Sequence, residues 1–188
     1  MPEDTLVIEQ TRLWVKSVIV GHNFCPFAYR EVERDSIRYR VIQSNQIEIC
    51  LETMIEEYDH LDSYPETETT LVIFPGILAR FEDFTRFIEL AEALLRDQGY
   101  EGEYQLASFH PKYQFADATI DDPANYTNRS PYPSLHIIRE ASIEKAVAGI
   151  TTPEQIPERN IEVARNLGND VLQGILDRCH ELKGDKPR

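Results

Sequence analysis

The sequence predicts an α/β domain: a small mixed, partly parallel four-stranded sheet flanked by helices, with long N-terminal and C-terminal helices. Segments with strand-like and helix-like periodicity alternate through the middle of the chain, which favours parallel strands joined by helical crossovers. Amphipathic stretches lie near both ends, and a length of 188 residues suits one domain. An α+β sandwich of ferredoxin-like type is the alternative. We expect the domain to span residues 1–183 and residues 184–188 to form a frayed tail.

The first helix is predicted over residues 4–20, where apolar residues recur at helical spacing. Gly21 is expected to end this helix in the left-handed conformation that glycine adopts without strain. A short second helix follows, with Pro26 in its first turn. Residues 37–42 alternate between apolar and basic side chains, and this alternation predicts the first strand.

The central elements have the clearest patterns. Residues 46–58 predict a helix, and a polar loop separates it from residues 70–74. That run is continuously β-branched or aromatic, so it predicts a strand buried on both faces. The next helix starts near Phe81 and ends at Gly99. Its apolar stripe is formed by Phe81, Phe84, Phe87, Ile88, Ala91, Leu94 and Leu95.

The last third of the chain contains two predicted strands, residues 104–109 and 135–138, of which the second is expected to be antiparallel. A short helix is predicted over residues 142–148. The C-terminal helix has Thr152 as its cap, and Pro157 is expected to kink it. Its predicted buried face consists of Val163, Leu167, Val171, Ile175, Cys179 and Leu182.

Composition argues against several classes of function. The chain has 19 Lys and Arg against 33 Asp and Glu, a net charge of −14, and such a surface repels nucleic acids and anionic membranes. No apolar run approaches the roughly 18 residues of a membrane span, and no signal peptide is recognisable, so we expect a cytoplasmic protein. Three widely spaced cysteines without a C-x-x-C pair predict no disulfide framework. Cys50 and Cys179 lie on apolar helix faces, and we expect both to be buried.

The segment between the last two strands, residues 110–133, is the most informative part of the sequence. Connections this long inside a compact domain are usually functional or disordered, and its four aromatic residues favour packing. Arg129 has the planar geometry that binds a carboxylate or phosphate through two hydrogen bonds. The structural alternative is an ion pair of Arg129 with Asp121 or Asp122. The predicted binding site for a small anionic molecule consists of Asn125, Arg129, Ser130 and Tyr132.

Cys25 is the candidate nucleophile. It precedes the predicted second helix, where partly positive backbone N–H groups lower the pKa of a thiol. The candidate base is His110, which directly follows the predicted strand over residues 104–109, and Asp121 or Asn128 would orient its ring. The first hypothesis is therefore a thiol-dependent enzyme that acts on a small anionic molecule held by Arg129.

Two other hypotheses stay open. The first is a non-catalytic ligand- or protein-binding module that uses the 110–133 segment as a rigid recognition surface, with Cys25 as a core residue. The second is a metal site at His22, Cys25 and His110, which would leave a position for water. The oligomeric state is not predicted.

Nucleotide-binding motifs are missing from the sequence, so a nucleotide cofactor lacks support and the cofactor stays unknown. The basic residues concentrate at Arg30, Arg34, Arg38 and Arg40, with acidic residues between them. This interleaving favours a solvated ion-pair surface over an anion-binding site.

Three groups of residues resemble a known family. They are Asn23-Phe24-Cys25-Pro26-Phe27-Ala28, His110-Pro111 with Tyr113 and Phe115, and Thr127 to Pro133 leading to Leu135-His136 and Arg139-Glu140. Together they resemble the mainly bacterial domain of unknown function number 1415, over nearly the whole chain. The resemblance implies the extent of the domain, and it implies no catalytic assignment.

Overall fold

The computed structural model describes residues 2–148 and 152–183, so the predicted tail, residues 184–188, lies outside the described residues. The helices are α1 (Asp4–Trp14), α2 (Ala28–Glu33), α3 (Ile47–Ser63), α4 (Phe81–Asp97), α5 (Glu140–Val147), α6 (Ile156–Leu167) and α7 (Asn169–Glu181). The strands are β1 (Ile37–Val41), β2 (Thr69–Ile73), β3 (Tyr104–Phe109) and β4 (Ser134–Arg139). None of the helices in this part of the chain combines the length and the apolar character that crossing a bilayer requires.

The four strands form one mixed sheet in the order β1-β2-β4-β3. β1 and β2 are parallel, and β4 runs antiparallel to both β2 and β3. This arrangement confirms the predicted mixed, partly parallel sheet flanked by helices. Every residue of β2 is buried, as its continuous β-branched and apolar run predicts.

Two hydrophobic cores lie on opposite faces of the sheet, because successive strand residues point to opposite sides. Val72 and Phe74 pack against α3 and α4 in what we call the α3–α4 core, with Met54, Tyr58, Phe84, Phe87 and Ile137. Leu71 and Ile73 pack on the other face against helices from both ends of the chain. This α1–α7 core also contains Val7, Trp14, Leu172, Ile175 and the predicted buried Cys179. Cys50 is buried in the α3–α4 core, also as predicted.

The end of the N-terminal helix differs from the prediction. After α1 the chain continues as a π-helix over Val15–Val20. Gly21 has a φ of −58° and is not left-handed. Glycine fits this position for another reason: a Cβ atom there would lie 2.3 Å from the carbonyl oxygen of Ser17. The left-handed residue is Asn23, with a φ of 54°, in a conformation that asparagine tolerates better than most residues.

The C-terminal region also differs, since it forms two helices where the sequence predicts one kinked helix. The break lies at Gly168, whose φ of 78° is left-handed. Pro157 lies in the first turn of α6, where a missing N–H leaves no helical hydrogen bond unmade. The predicted buried face is right for Ile175 and Cys179 and wrong for Val171 and Leu182, which are 50% and 37% exposed. The face of α7 that packs is centred on Leu172, Ile175, Leu176 and Cys179, so Val171 lies at its border, and Leu182 follows the end of the helix.

Candidate functional site

The 110–133 segment is supported from inside by Asn125, which is 0% exposed. Its Oδ1 accepts a hydrogen bond from the Phe115 N–H (3.0 Å). Its Nδ2 donates to the carbonyl oxygens of Thr119 (2.8 Å) and Ile120 (3.4 Å). The structure therefore places this predicted ligand-binding amide among the backbone groups of its own loop.

Arg129, the predicted anion anchor, is also engaged within the segment. Its Nε donates to the Tyr113 carbonyl (3.2 Å) and one terminal nitrogen donates to the Ile120 carbonyl (2.9 Å). The guanidinium carbon lies 4.5 Å from the centre of the Tyr126 ring, a distance at which cation–π attraction contributes. The Arg129 carbonyl accepts a hydrogen bond from the Trp14 indole N–H (2.9 Å). Two of the five guanidinium donors thus bind backbone.

Two of the three aspartates of the segment, Asp122 and Asp121, face α6 and α7. Asp122 forms a two-point ion pair with Arg165 of α6, at 3.1 and 2.7 Å, so the alternative pairing of Asp122 with Arg129 is wrong. The hydrogen bond from Arg165 holds the pKa of Asp122 below its usual range. Asp121 is exposed, and its backbone carbonyl accepts a hydrogen bond from Asn169 of α7 (2.8 Å).

His110 is fully buried, and both of its ring nitrogens are occupied. Nε2 lies 2.9 Å from the Leu78 carbonyl oxygen, and Nδ1 lies 2.9 Å from the Lys112 backbone nitrogen. A carbonyl only accepts and a backbone N–H only donates, so the ring is the neutral tautomer with its proton on Nε2. Burial lowers the pKa of His110. Its ring centre lies 5.1 Å from that of Phe84, in the α3–α4 core, and no nitrogen is left to act as a base.

Asn128, the other candidate for orienting the His110 ring, binds backbone instead. Its Nδ2 donates to the Ser108 carbonyl (3.1 Å), and its own carbonyl accepts from the His110 N–H (3.1 Å). The residue therefore fixes the course of the chain at the end of β3.

Ser130 and Tyr132, both predicted to bind substrate, secure the end of the segment. The Ser130 hydroxyl donates to the Tyr132 carbonyl (2.6 Å). The Tyr132 hydroxyl donates to the side-chain oxygen of Gln10 in α1, and Gln10 donates in turn to the Leu182 carbonyl (3.1 Å). Gln10 is a buried polar residue that the sequence analysis missed, although its position within an amphipathic helix was a usable signal.

Cys25 is half-buried and packs against the α1–α7 core. Burial raises the pKa of its thiol and outweighs the hydrogen bonds from the backbone of Phe27 and Ala28, which lower it. The direction is opposite to the one expected from the sequence. The reason is that the thiol lies against apolar side chains of the α1–α7 core, and the loss of solvation there outweighs the two backbone hydrogen bonds. The helix α2 begins only at Ala28, so Pro26 precedes it and does not lie in its first turn as predicted.

Side chains of α6 hold the turn that contains Cys25. Arg159 donates to the carbonyl oxygens of Asn23 (2.8 Å) and His22 (3.4 Å), and Asn160 donates to that of Phe24 (2.6 Å). The Nε2 of His22 is buried without a hydrogen-bond partner in the described ranges. The two α6 residues were not predicted, since no sequence pattern links them to a turn that lies far away along the chain.

The structure does not bring Cys25 and His110 together. Phe109 points into the α1–α7 core with Cys25, and the next residue, His110, points into the α3–α4 core on the other face. The proposed metal ligands His22, Cys25 and His110 are separated for the same reason. Within residues 2–148 and 152–183, no group of three or more His, Cys, Asp or Glu side chains could hold a metal ion.

The basic residues of β1 are ion-paired with α3. Arg38 makes two hydrogen bonds, of 2.7 and 3.2 Å, to the buried Glu57. Arg40 donates to Glu56 at 3.3 Å. These contacts agree with the ion-pair interpretation, although the acidic partners come from a different element than the sequence indicated.

One apolar side chain projects from the otherwise self-contained segment. Ile120 is 63% exposed, although its carbonyl is held by Arg129 and Asn125. The carbonyl of the following residue, Asp121, accepts a hydrogen bond from Asn169 of α7 (2.8 Å), so Ile120 directly precedes the point where the segment contacts α7. The sequence analysis missed Ile120, whose signal was a lone large aliphatic residue in a polar stretch.

Comparison with known proteins identifies a family and gives no activity. No curated protein and no solved structure matches the chain. The family model described as "Protein of unknown function (DUF1415)" matches residues 6–174, which is most of the sequence and includes every candidate site residue discussed above. The chain therefore belongs to the DUF1415 family, as its sequence resemblance implied.

Proposed function

We propose that the chain is a cytoplasmic, non-catalytic protein-binding module that presents Ile120 to a partner. The observation that carries this proposal is the combination of exposure and fixation at one residue. Ile120 is 63% exposed, and its carbonyl accepts hydrogen bonds from Arg129 (2.9 Å) and Asn125 (3.4 Å). A loop whose backbone is already fixed loses little conformational freedom on binding, so more of the contact energy of its exposed side chain appears as affinity.

Charge around Ile120 suggests the chemistry of the partner. Asp117 and Asp121 are exposed beside it, and Asp170 is exposed in the first turn of the adjacent α7. The whole chain carries a net charge of −14. Complementary charge accelerates encounter and selects partners. The expected partner is therefore a polypeptide segment with Lys or Arg residues around an apolar pocket or side chain.

A thiol-dependent enzyme has less support. Its candidate base, His110, has both ring nitrogens engaged, and burial raises the pKa of the Cys25 thiol. The candidate anchor Arg129 binds two backbone carbonyls. Two of its five N–H donors are therefore already occupied, which reduces the number of geometries in which it could bind an anion.

The test is selection of peptides from a random library on the full chain, followed by affinity measurements with the selected peptides. We expect enrichment of peptides that combine basic and apolar residues. Ile120→Ser should weaken their binding about tenfold or more, as expected for a central apolar anchor. Leu90→Ser is the matched control, because Leu90 is 49% exposed on α4, on the other side of the sheet.

Two outcomes would contradict the proposal. The first is equal binding of the selected peptides to wild type and Ile120→Ser. The second is loss of binding in Cys25→Ser without any change in melting temperature, since a core thiol should affect stability and leave the recognition surface intact.

A further inference from the structure

The two edge strands of the sheet differ in their protection against pairing with another chain. β1 carries Arg38 and Arg40, and charged side chains on an edge strand discourage strand addition. β3, at the opposite edge, has the sequence Tyr-Gln-Leu-Ala-Ser-Phe and contains no charged residue. An uncharged edge strand is a template for strand addition.

The hydrogen bonds at the two ends of β3 identify the backbone groups that point away from β4. The Tyr104 N–H donates to the Tyr100 carbonyl in the preceding turn (3.1 Å), and the His110 N–H donates to the Asn128 carbonyl (3.1 Å). Backbone groups alternate in direction along a strand, so those of Leu106 and Ser108 point the same way. The Ser108 carbonyl is already bound by the side chain of Asn128 (3.1 Å).

Four groups on this edge therefore have no hydrogen-bond partner in the part of the chain that the structure describes. They are the Tyr104 C=O, the Leu106 N–H and C=O, and the Ser108 N–H. This set is self-complementary. A two-fold axis beside Leu106 pairs its N–H and C=O with those of the same residue in a second copy, and it pairs each Ser108 N–H with the other copy's Tyr104 C=O.

We propose that two copies of the chain pair through β3, antiparallel and centred on Leu106, to form one continuous sheet. The two edge groups that are already bonded within each copy, the Tyr104 N–H and the Ser108 C=O, then lie opposite each other and need no partner. A foreign strand would bring its own C=O and N–H to those positions and find both occupied, which is unfavourable for backbone groups.

Charge also favours β3 over β1 for this pairing. Glu101 and Glu103 precede β3 and Lys112 follows it, and antiparallel pairing brings the start of one strand to the end of the other. Self-pairing of β1 would set Arg38 opposite Arg40 of the second copy, and like charges in that position are destabilising. The net charge of −14 on each copy opposes association, so added salt should favour the dimer by screening.

Sedimentation velocity and residue-resolved amide exchange on the full chain test the proposal. We expect a dimer that becomes more populated between about 0.05 and 0.5 M salt. Leu106 and Ser108 amides should gain about tenfold or more protection as the concentration rises into the dimer range, while the outward amide of Tyr39 on β1 should not. A monomer at every salt concentration, or a dimer in which these two β3 amides exchange at the monomer rate, overturns the proposal.

Substitutions on β3 separate the interface from the fold. The Ser108 N–H points outward, away from β4. Ser108→Pro therefore removes half of the intermolecular hydrogen bonds and leaves the β3–β4 ladder intact. It should yield a folded monomer. Val41→Pro on β1 is the control and should remain dimeric: the Ile42 N–H donates to the Ile73 carbonyl at the end of β2 (2.9 Å), so the N–H of the preceding residue, Val41, points outward. If either proline variant fails to fold, charge variants of Gln105 and Ala107 replace it, since these residues face each other across the axis. Gln105→Lys combined with Ala107→Lys, and Gln105→Glu combined with Ala107→Glu, should each give a monomer, and the two variants should form a heterodimer when mixed; failure of the mixture to associate contradicts the proposal.

Discussion

Removal of the Asn125 amide should unfasten the 110–133 segment and lower the stability of the whole chain. Asn125→Ala deletes three hydrogen bonds, to Phe115, Thr119 and Ile120. Each contributes about 1 kcal/mol net, so the expected decrease in the free energy of unfolding is about 3 kcal/mol. For a chain of 188 residues that loss corresponds to a decrease in Tm of about 6–12 °C. The N–H of Phe115 loses its partner, and its amide exchange should accelerate.

Urea denaturation followed by circular dichroism measures this loss, and Asn166→Ala provides the control. Asn166 is exposed on α6, so its replacement should change the free energy of unfolding by no more than about 0.5 kcal/mol. A loss below about 1 kcal/mol for Asn125→Ala, or unchanged exchange at Phe115, would refute the view that this side chain supports the loop. The same variant should also bind the selected peptides more weakly, because Ile120 is no longer fixed.

Alkylation, acid titration and two glycine substitutions test other parts of the structure. Iodoacetamide should label Cys25 more slowly at pH 7 than it labels the unfolded chain, because burial raises the thiol pKa; faster labelling by mass spectrometry would contradict this. Burial lowers the pKa of His136 from 6.5 to about 4, so the unfolded state binds more protons in that range and stability should fall on acidification. The slope, at most about 1.4 kcal/mol per pH unit, should diminish in His136→Gln. Gly168→Ala should lower the free energy of unfolding by about 1–3 kcal/mol, because the φ of this residue is 78° and its ψ is 165°. Gly174→Ala inside α7 should raise the free energy of unfolding by about 0.5–1 kcal/mol; effects of the same sign would be inconsistent with these backbone assignments.

The sheet and the long central helix were predictable because their information is local. β2 is a continuous run of β-branched and apolar residues, and it is buried on both faces. The stripe from Phe81 to Leu95 repeats at helical spacing, and Phe84, Phe87, Ala91 and Leu95 are buried along it. In both cases the side chains that are buried in the fold are the same ones that form the pattern in the sequence. Their burial could therefore be predicted without knowledge of the rest of the fold.

The breaks in the helices were not predictable from such patterns. Gly168 lies inside a stretch that keeps its helical periodicity, and an isolated glycine in a helix is usually tolerated. Its left-handed conformation depends on the packing of α6 against the 3-10 turn at Pro123–Thr127 and of α7 against α1. Gly21 was singled out correctly as a special position, but the reason is the approach of the Ser17 carbonyl within the π-helix, which sequence periodicity does not reveal.

The failure of the Cys25–His110 pairing has a specific physical origin. Alternation along β3 puts Phe109 and His110 on opposite faces, and this much follows from the sequence. Which face meets Cys25 depends on the turn at residues 21–27, which has no period and is positioned by Arg159 and Asn160 of α6. A long-range contact of this kind decides between a shared cleft and two separate cores.

Polar side chains in a long connection are ambiguous because the backbone of the connection must itself be hydrogen-bonded. In the 110–133 segment, Asn125, Asn128 and Arg129 bind backbone groups of their own chain. These residues therefore satisfy the loop and leave few donors for a ligand. Groups that keep capacity for a partner include the side chain of Ile120, which is 63% exposed, and the outward amides of β3. The two proposals made for these groups both rest on association, because an exposed apolar residue and unpaired strand groups would each gain a contact there.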